Sequence, residues 1–185
     1  MMGHVMTLLI RFVEEQGGPQ AVARAFEHAG LERVDYRFDT AYPEQDFARL
    51  LGASVATLGA TSQQAELGFA EFFMRVSPEL FPAMFRQSGN ARTMLERIPQ
   101  LHRSIPAANS RGALLNKLSI ERSGPDELVY RYDSPHRLCL FLRRSCELVL
   151  KHYGERGTVT ERACVHTGAP ACLVAVRFEG PAGPR

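Results

Sequence analysis

The chain has 185 residues, of which 45% are hydrophobic and 23% are charged, values typical of one globular domain with its own core. A formal net charge of +2 with scattered basic residues does not indicate nucleic acid as a partner, and no run approaches the ~18 apolar residues that a membrane span needs. Four cysteines are too few for a disulfide scaffold in a chain of this size, so a cytoplasmic location is expected.

The first two-thirds of the sequence have the apolar spacing of helices. Helices are predicted over residues 3–16, 19–28, 45–58, 62–76 and 91–105. The pair Gly17-Gly18 stops the first helix, Gly30 ends the second, and Ser62 is the predicted N-cap of the fourth. Residues 78–82, which begin and end with proline, are predicted to form a bend.

In the last third, the apolar period changes from that of helices to that of strands. Leu118 and Ile120 alternate with polar residues, and Leu128, Tyr130 and Tyr132 do so after a Gly-Pro turn, which predicts a β-hairpin. A helix over residues 135–153 and a second hairpin over residues 158–166 and 171–178 follow. The predicted fold class is α+β, with a helical part (about 1–110) leading into an antiparallel sheet with a β-β-α-β-β order (about 111–179). Both parts form one predicted domain, 1–179, and residues 180–185 are a predicted flexible tail.

One face of the fifth predicted helix is apolar and includes a histidine. His102 follows Met94, Leu95 and Ile98 at helical spacing, and charged residues occupy the opposite face. The spacing leaves two alternatives open, a core histidine bonded to a backbone carbonyl or a ligand of a metal or haem iron. Pro99 removes one backbone bond to Leu95 and is expected to kink or loosen the helix.

A second polar group lies where the first hairpin leads into the next predicted helix. Tyr132 and Ser134 are two residues apart on a strand and therefore share a face, and His136 and Arg137 follow. A phenol, a hydroxyl and cations at one junction can bind carboxylates, with help from helix N–H groups. The alternative is a helix cap, with Ser134 as the N-cap and Pro135 in the first helical position.

Five short segments carry a resemblance that covers nearly the whole chain. They are Met1-Met2-Gly3-His4-Val5, Tyr42-Pro43, Phe81-Pro82, Leu101-His102 and Tyr132-Asp133-Ser134-Pro135-His136-Arg137. In this order, and near this spacing, they resemble the H-NOX family of haem-binding gas sensors. That family includes the haem domain of soluble guanylate cyclase and stand-alone bacterial relatives.

The resemblance implies a domain that holds haem b, with His102 as the ligand of the iron. Family members hold the haem propionates with a Tyr-x-Ser-x-Arg motif, and Tyr132 and Ser134 match its first two positions. The arginine position here holds His136, and Arg137 follows one residue later. Both cations are therefore candidates for binding the propionates.

The resemblance also bears on the gas that is bound. The residues expected to line the haem pocket are Val5, Leu9, Ile98, Leu101 and Phe141. Oxygen-binding members place a tyrosine hydroxyl beside the gas, and the matching position here is Phe141, so NO and CO are favoured over O₂. His4 is the one nearby residue that would change this expectation, and it is expected to face solvent.

The resemblance further implies how the signal is passed on. NO is expected to break the bond between the iron and His102, which frees the helix that carries it. The output then passes in trans to a partner protein, a histidine kinase or a cyclic-di-GMP enzyme by family habit. No Gly-rich phosphate loop, nucleophile elbow or paired catalytic carboxylate motif is present, so no enzyme activity is predicted.

The main alternative is a haem-free module, similar to H-NOX or to the vinyl-reductase type of domain, that binds another hydrophobic ligand or acts through protein contacts. Two departures from the family support it. The first is the displaced arginine. The second is the lack of a proline near Leu115-Asn116, where family members place one against the haem.

The four cysteines suggest a further site in the second hairpin. Cys164 and Cys172 are placed symmetrically about the predicted turn, so in a simple hairpin they face each other. Some H-NOX proteins carry a His-Cys-Cys-Cys zinc site in this place, and His166 is the candidate third ligand here. A zinc site, a redox-labile thiol pair and inert buried cysteines all stay open. Cys139 and Cys146 are expected in the core.

Overall fold

The computed structural model describes residues 1–104 and 117–180, with only the backbone of residues 102–104. The predicted helix end at Ile105, the Leu115-Asn116 position and residues 181–185 of the predicted tail lie outside the described residues. The described chain is helical up to Ser104 and then forms a four-stranded antiparallel sheet with one further helix, so the α+β prediction is confirmed. No helix in these ranges is long and apolar enough to cross a membrane.

The described elements follow the predicted order. The helices are α1 (Gly3–Ala29), α2 (Glu44–Thr57), α3 (Ser62–Leu80), α4 (Pro82–Ser88), α5 (Ala91–Ser104) and α6 (Cys139–His152). The strands are β1 (Leu118–Ser123), β2 (Glu127–Tyr132), β3 (Gly157–Ala163) and β4 (Cys172–Phe178). A short 3₁₀ helix, Val165–Thr167, lies between β3 and β4.

The chain forms two compact units, of which the first is Met1–Phe69. Its α1 is broken at Gly18, where φ is 75°, as the Gly17-Gly18 pair predicts. Gly30 ends α1 in the left-handed conformation that glycine adopts without strain. The interior of this unit includes Phe12, whose ring lies 5.6 Å from that of Phe69.

The second unit begins at Ala70 and is built on the sheet, whose strand order is β1-β2-β4-β3. Helices α5 and α6 contact this sheet. The buried residues of α6 recur at helical spacing: Cys139, Leu142, Cys146, Val149 and Leu150. All of them except Cys139 pack with alternating residues of the strands, such as Leu128, Tyr130, Val174 and Val176. The predicted single domain with a division near residue 110 stays a prediction.

Three local predictions are corrected by the structure. Thr61 and not Ser62 caps α3, because its hydroxyl accepts the Gln64 N–H at 3.2 Å while the Gln64 side chain accepts the Thr61 N–H at 2.9 Å. The predicted bend over residues 78–82 is mostly helical, because α3 continues through Pro78 to Leu80 and α4 begins at Pro82 and ends at a left-handed Gly89. Helix α6 begins at Cys139, four residues later than predicted, so Ser134 is not its N-cap.

Pro99 lies inside α5, yet the helix continues through it to Ser104. A proline has no N–H, so the carbonyl of Leu95, four residues earlier, loses its helical donor. The hydroxyl of Tyr130 on β2 donates to this carbonyl oxygen at 2.5 Å, and both residues are fully buried. The bond that the proline removes is therefore replaced by a bond from the sheet. Burial of the Tyr130 side chain also raises its pKa well above the ordinary value.

Replacing Tyr130 with phenylalanine should lower the free energy of unfolding by about 1–3 kcal/mol, because the buried Leu95 carbonyl then has no donor. Urea denaturation followed by circular dichroism measures this loss. The matched control is Tyr153→Phe, whose half-buried hydroxyl donates to the Phe85 carbonyl at 2.7 Å. We expect a smaller loss there, and an equal loss in the two variants would contradict the role given to Tyr130.

Candidate functional site

The segment between β2 and α6 is a tight turn and not a helical extension. The N–H of Arg137 donates to the Ser134 carbonyl at 3.1 Å, and the N–H of Cys139 donates to the Arg137 carbonyl at 2.9 Å. Arg137 has a φ of 51°, the one described non-glycine residue in the left-handed region. Such a conformation costs a side-chain-bearing residue about 1 kcal/mol. The turn bonds hold it in this conformation.

The turn arranges two hydroxyl groups beside its backbone N–H groups. The Tyr132 hydroxyl accepts the N–H of Leu138 at 3.3 Å, and the Ser134 hydroxyl accepts the N–H of His136 at 3.3 Å. Ser134 is buried, with 9% of its surface exposed. Because a hydroxyl can accept and donate at the same time, these bonds fix the two oxygens without using their hydrogens.

The two cations of the motif differ in exposure. Arg137 is exposed, and no carboxylate among the described residues pairs with its guanidinium. His136 is half-buried. Charge-assisted bonds from a guanidinium to a carboxylate are about twice as strong as neutral ones. A phenol, a buried hydroxyl and a guanidinium on one turn are a donor set that fits carboxylates such as haem propionates.

Helix α5 leads toward the predicted iron ligand along its apolar face. Ala91, Met94 and Leu95 are fully buried in the core of the second unit, and Ile98 packs against that core. Leu101 has 43% of its surface exposed. The backbone of His102 is helical, one turn beyond Ile98, but its side chain lies outside what the structure describes. Ligation by His102 therefore stays a prediction.

The remaining predicted pocket residues are all apolar and at least half-buried. In the first unit Leu9 is fully buried and Val5 is half-buried. In the second unit Phe141 is half-buried, and its ring packs edge-on against that of Phe73 with centroids 5.6 Å apart. His4, the possible distal donor, has Nδ1 at 3.2 Å from the Phe38 carbonyl oxygen. A carbonyl accepts, so this imidazole nitrogen donates to the backbone.

A cluster of three buried thiols lies directly behind the turn, and we call it the thiol cluster. Cys139 begins α6, Cys164 follows β3 and Cys172 begins β4 opposite Tyr132. The sulfur of Cys172 lies 2.6 Å from that of Cys139 and 3.7 Å from that of Cys164. All three sulfurs lie within 4.8 Å of one another.

The thiol cluster differs in membership from the set predicted in the sequence. Cys164 and Cys172 do come together, as the hairpin predicts. The third member is Cys139, predicted only as a core residue, whereas the His166 ring donates from Nε2 to the Arg137 carbonyl at 3.0 Å. Sequence spacing gives no signal for Cys139, because it is 25 residues or more from both partners and joins them only through the fold.

Burial decides the protonation state of Cys139, Cys164 and Cys146. It is the main cause that raises the pKa of Cys139 and of Cys164, and the neighbouring Cys172 thiol raises both further. Burial also raises the pKa of Cys146, which lies in the core of the second unit, to about 12. At neutral pH these groups are therefore thiols and not thiolates.

Solved structures with the same fold are H-NOX proteins. The H-NOX protein from S. oneidensis in its Fe(II)NO ligation state shares 18% identity, with 97% of this chain and 100% of that chain covered and a TM-score of 0.75. An oxygen-binding H-NOX domain related to soluble guanylate cyclases, in its oxygen complex, shares 16% identity, with 100% of this chain and 98% of that chain covered and a TM-score of 0.78. The H-NOX domain from Shewanella oneidensis in its Fe(II)CO ligation state shares 16% identity, with 97% of this chain and 99% of that chain covered and a TM-score of 0.73.

These likenesses establish the class of the protein, an α+β domain with the H-NOX fold. Comparison with curated protein sequences gives no significant match. The sequence profile of the Haem-NO-binding family matches residues 2–161, and the chain belongs to this family of haem-binding sensor domains.

Proposed function

We propose that this chain is a gas sensor that binds NO and CO at a ferrous haem b ligated by His102. Its membership of the Haem-NO-binding family gives the general class. The observation that carries the proposal for this chain is the turn that holds the Tyr132 and Ser134 hydroxyls and carries Arg137 in the same six-residue segment, because such a donor set suits the two carboxylates of a haem. When bound, the haem supplies an iron that takes up a diatomic gas.

The proposed role of His102 follows from its place on α5. The residues before it on the same face are buried, so the helix approaches the site along an apolar surface. A neutral imidazole in such surroundings is the usual proximal ligand of haem iron.

The proposed role of the turn is to anchor the propionates. Tyr132 and Ser134 would donate hydroxyl hydrogens while their oxygens stay bonded to the backbone. Arg137 would supply the charge, and His136 would add to it when protonated. The left-handed backbone at Arg137 allows the arginine to serve one residue later than in the family motif, because it changes the direction in which the chain leaves the turn.

The proposed preference for NO and CO rests on the chain's own side chains. Phe141 has no hydrogen-bond donor, and Val5 and Leu9 are apolar. Such side chains cannot stabilise the partial negative charge that develops on oxygen, whereas NO and CO need little such help. The Shewanella oneidensis structures hold NO and CO.

We further propose a cytoplasmic location and an output in trans to a histidine kinase or a cyclic-di-GMP enzyme, through a surface that rearranges when the gas binds.

Replacing His102 with glycine should abolish haem retention in the purified protein, and free imidazole should restore it by filling the space of the missing ring. The intensity of the Soret absorption band measures haem content. The matched control is His28→Gly, near the end of α1, which should keep its haem without imidazole. An unchanged ferrous spectrum in the His102 variant would show that another residue is the ligand. A wild-type protein without a Soret band would instead favour a haem-free module.

Replacing Arg137 with alanine should speed haem loss roughly ten- to a hundredfold, since charge-assisted bonds contribute about 1.5–3 kcal/mol. Transfer of haem to an excess of a haem-scavenging protein measures the rate. Arg137→Gly, which relieves the left-handed backbone, should lose haem equally fast if the guanidinium is what matters. The control is Arg143→Ala, whose guanidinium already lies 4.0 Å from the Glu147 carboxylate. Equal rates for wild type and both Arg137 variants would mean that Arg137 does not anchor the propionates.

Replacing Phe141 with tyrosine should confer measurable oxygen affinity, because a hydroxyl at this position can donate to the bound gas. A bond of about 1.5–3 kcal/mol corresponds to roughly ten- to a hundredfold in affinity. Oxygen titration of the ferrous protein in the visible spectrum measures it. Phe81→Tyr, a half-buried ring in the same unit, serves as control and should change nothing. Oxygen binding by the unmodified protein would contradict the proposal that the haem pocket has no hydrogen-bond donor for the gas, and His4 would then be the first donor to test.

A further inference from the structure

The thiol cluster stands apart from the proposed haem chemistry and joins three elements that are distant in sequence. Its members are Cys139, Cys164 and Cys172, with 1%, 5% and 0% of their surfaces exposed. Tyr132 and Val165 cover it. Three buried sulfurs in mutual contact are more than inert packing requires, because a thiol gains little from another thiol that an aliphatic side chain would not supply.

The distances within the cluster can be compared with those of a zinc site. Two thiolates on one tetrahedral zinc lie about 3.8 Å apart, since each zinc–sulfur bond is about 2.3 Å. The separation of 3.7 Å between Cys164 and Cys172 agrees with this, but 2.6 Å between Cys139 and Cys172 is far too short. A disulfide bond is about 2.05 Å long. The three cysteines are free thiols, and the spacing of Cys139 and Cys172 does not fit two ligands of one zinc ion.

The fourth ligand that a closed zinc site needs is also missing from the described cluster. The metal-competent group contains three sulfurs and no imidazole or carboxylate. The neighbouring imidazole of His166 is turned to the Arg137 carbonyl. Structural zinc sites are almost always four-coordinate, so the geometry favours sulfur chemistry among the three thiols.

We propose that the thiol cluster is an ordered relay that takes up oxidising equivalents from a low-molecular-weight disulfide and stores them as a bond between Cys139 and Cys172. This property goes beyond gas sensing and does not depend on haem. The order follows from position. Cys164 is the least buried of the three and lies beside the turn of the second hairpin, where His166, Thr167 and Gly168 are exposed. Cys172 lies between Cys164 and Cys139.

The relay consists of three thiol–disulfide exchanges that balance. Cys164, a thiol at rest, loses its proton as it attacks one sulfur of the small disulfide, whose S–S bond breaks and releases one small thiolate, which takes up that proton. Cys172 attacks the Cys164 sulfur and releases the second small thiol, which carries the Cys172 proton. Cys139 then attacks the Cys172 sulfur, and Cys164 leaves as a thiol with the Cys139 proton. Two protein thiols are oxidised, and one small disulfide is reduced to two thiols.

The surroundings of Cys172 suit its middle position in the order of exchange steps. Its sulfur accepts the N–H of Val165 at 3.4 Å, and this donor stabilises the negative charge on the Cys172 sulfur as it loses its proton and attacks Cys164. The two neighbouring sulfurs belong to the first residue of α6 and to the residue that follows β3. The final bond therefore ties the first residue of α6 to the first residue of β4.

The experiment uses the full chain, reduced and then exposed to oxidised glutathione at neutral pH. Samples are quenched with acid at intervals, alkylated and digested, and mass spectrometry identifies the disulfide-linked peptides. We expect glutathione on Cys164 first, then a bond from Cys164 to Cys172, and finally a bond from Cys139 to Cys172. This time course in the unmodified protein needs no variant, so it does not depend on whether a variant folds.

Serine variants test each step separately. Cys139→Ser should stop at the Cys164–Cys172 bond, and Cys172→Ser should retain glutathione on Cys164. Cys164→Ser should form the final bond at least about tenfold more slowly than the unmodified chain. The oxidant must then reach Cys172 or Cys139, which requires a larger opening of the structure. Cys146→Ser, a buried thiol of the same helix in the main core, is the matched control and should behave like the unmodified chain.

Three results would overturn the relay. The first is oxidation of Cys164→Ser as fast as the unmodified chain. The second is an end product other than the bond between Cys139 and Cys172. The third is stoichiometric zinc in the purified protein that is lost in Cys139→Ser, which would make the thiol cluster a metal site. Haem content and gas binding do not enter any of these readouts, so the relay and the sensor function can fail independently.

Discussion

Helix α5 is attached to the sheet by a hydrogen bond that its own backbone cannot make. Pro99 leaves the Leu95 carbonyl without a helical donor, and the Tyr130 hydroxyl supplies one from β2. Both parts of the candidate site depend on this contact. Leu95 lies two turns before His102 on α5, and Tyr130 lies two residues before Tyr132 on the same strand. The bond therefore fixes the register between the helix that carries the predicted iron ligand and the strand that leads into the carboxylate-binding turn.

The first turn of α5 is held to the same hairpin by a second set of bonds. The guanidinium of Arg92 donates to the carbonyls of Pro125 at 2.6 Å and of Gly124 at 2.7 Å, in the turn between β1 and β2. Its charge also lies over the Phe178 ring, 5.4 Å from the centroid. Because Arg92 and Leu95 lie on one turn of helix, the N-terminal half of α5 has contacts to the sheet both at the hairpin turn and in the core.

Local signals in the sequence predict much of the fold, and contacts between distant residues explain what they miss. The break at Gly18 and the hairpin of β1 and β2 follow from glycine and from alternation over a few residues. The sequence also predicts that Tyr132 and Ser134 lie together. The late start of α6 is not predicted from the sequence, because Ser134 and Pro135 are residues that commonly begin a helix. In the structure they belong to a turn that is held by backbone hydrogen bonds and has Arg137 in the left-handed conformation.

The two contacts of most consequence could not be predicted from spacing at all. The bond between Tyr130 and Leu95 joins residues 35 positions apart. The sequence shows only the proline, which leaves the Leu95 carbonyl without a helical donor, and it therefore predicts a loosened helix. The thiol cluster likewise brings Cys139 to Cys172 across 33 positions, through the packing of α6 on the sheet. Helical periodicity assigns Cys139 correctly to the core, but it contains no information on which core side chains meet.

The same contacts indicate which part of α5 is able to move. Up to Leu95 the helix is bonded to the sheet, whereas Pro99 removes a backbone bond between its two halves. If gas binding releases His102, as the family resemblance implies, only the last turn and a half of the helix would have to shift, and the core formed by Ala91, Met94 and Leu95 would stay intact. A ligand shifts such an equilibrium by its difference in affinity for the two states. A short moving segment disturbs few buried contacts, so the free-energy cost of the proposed change is small, and Pro99 would mark the boundary between the part of α5 that is bonded to the sheet and the part that moves.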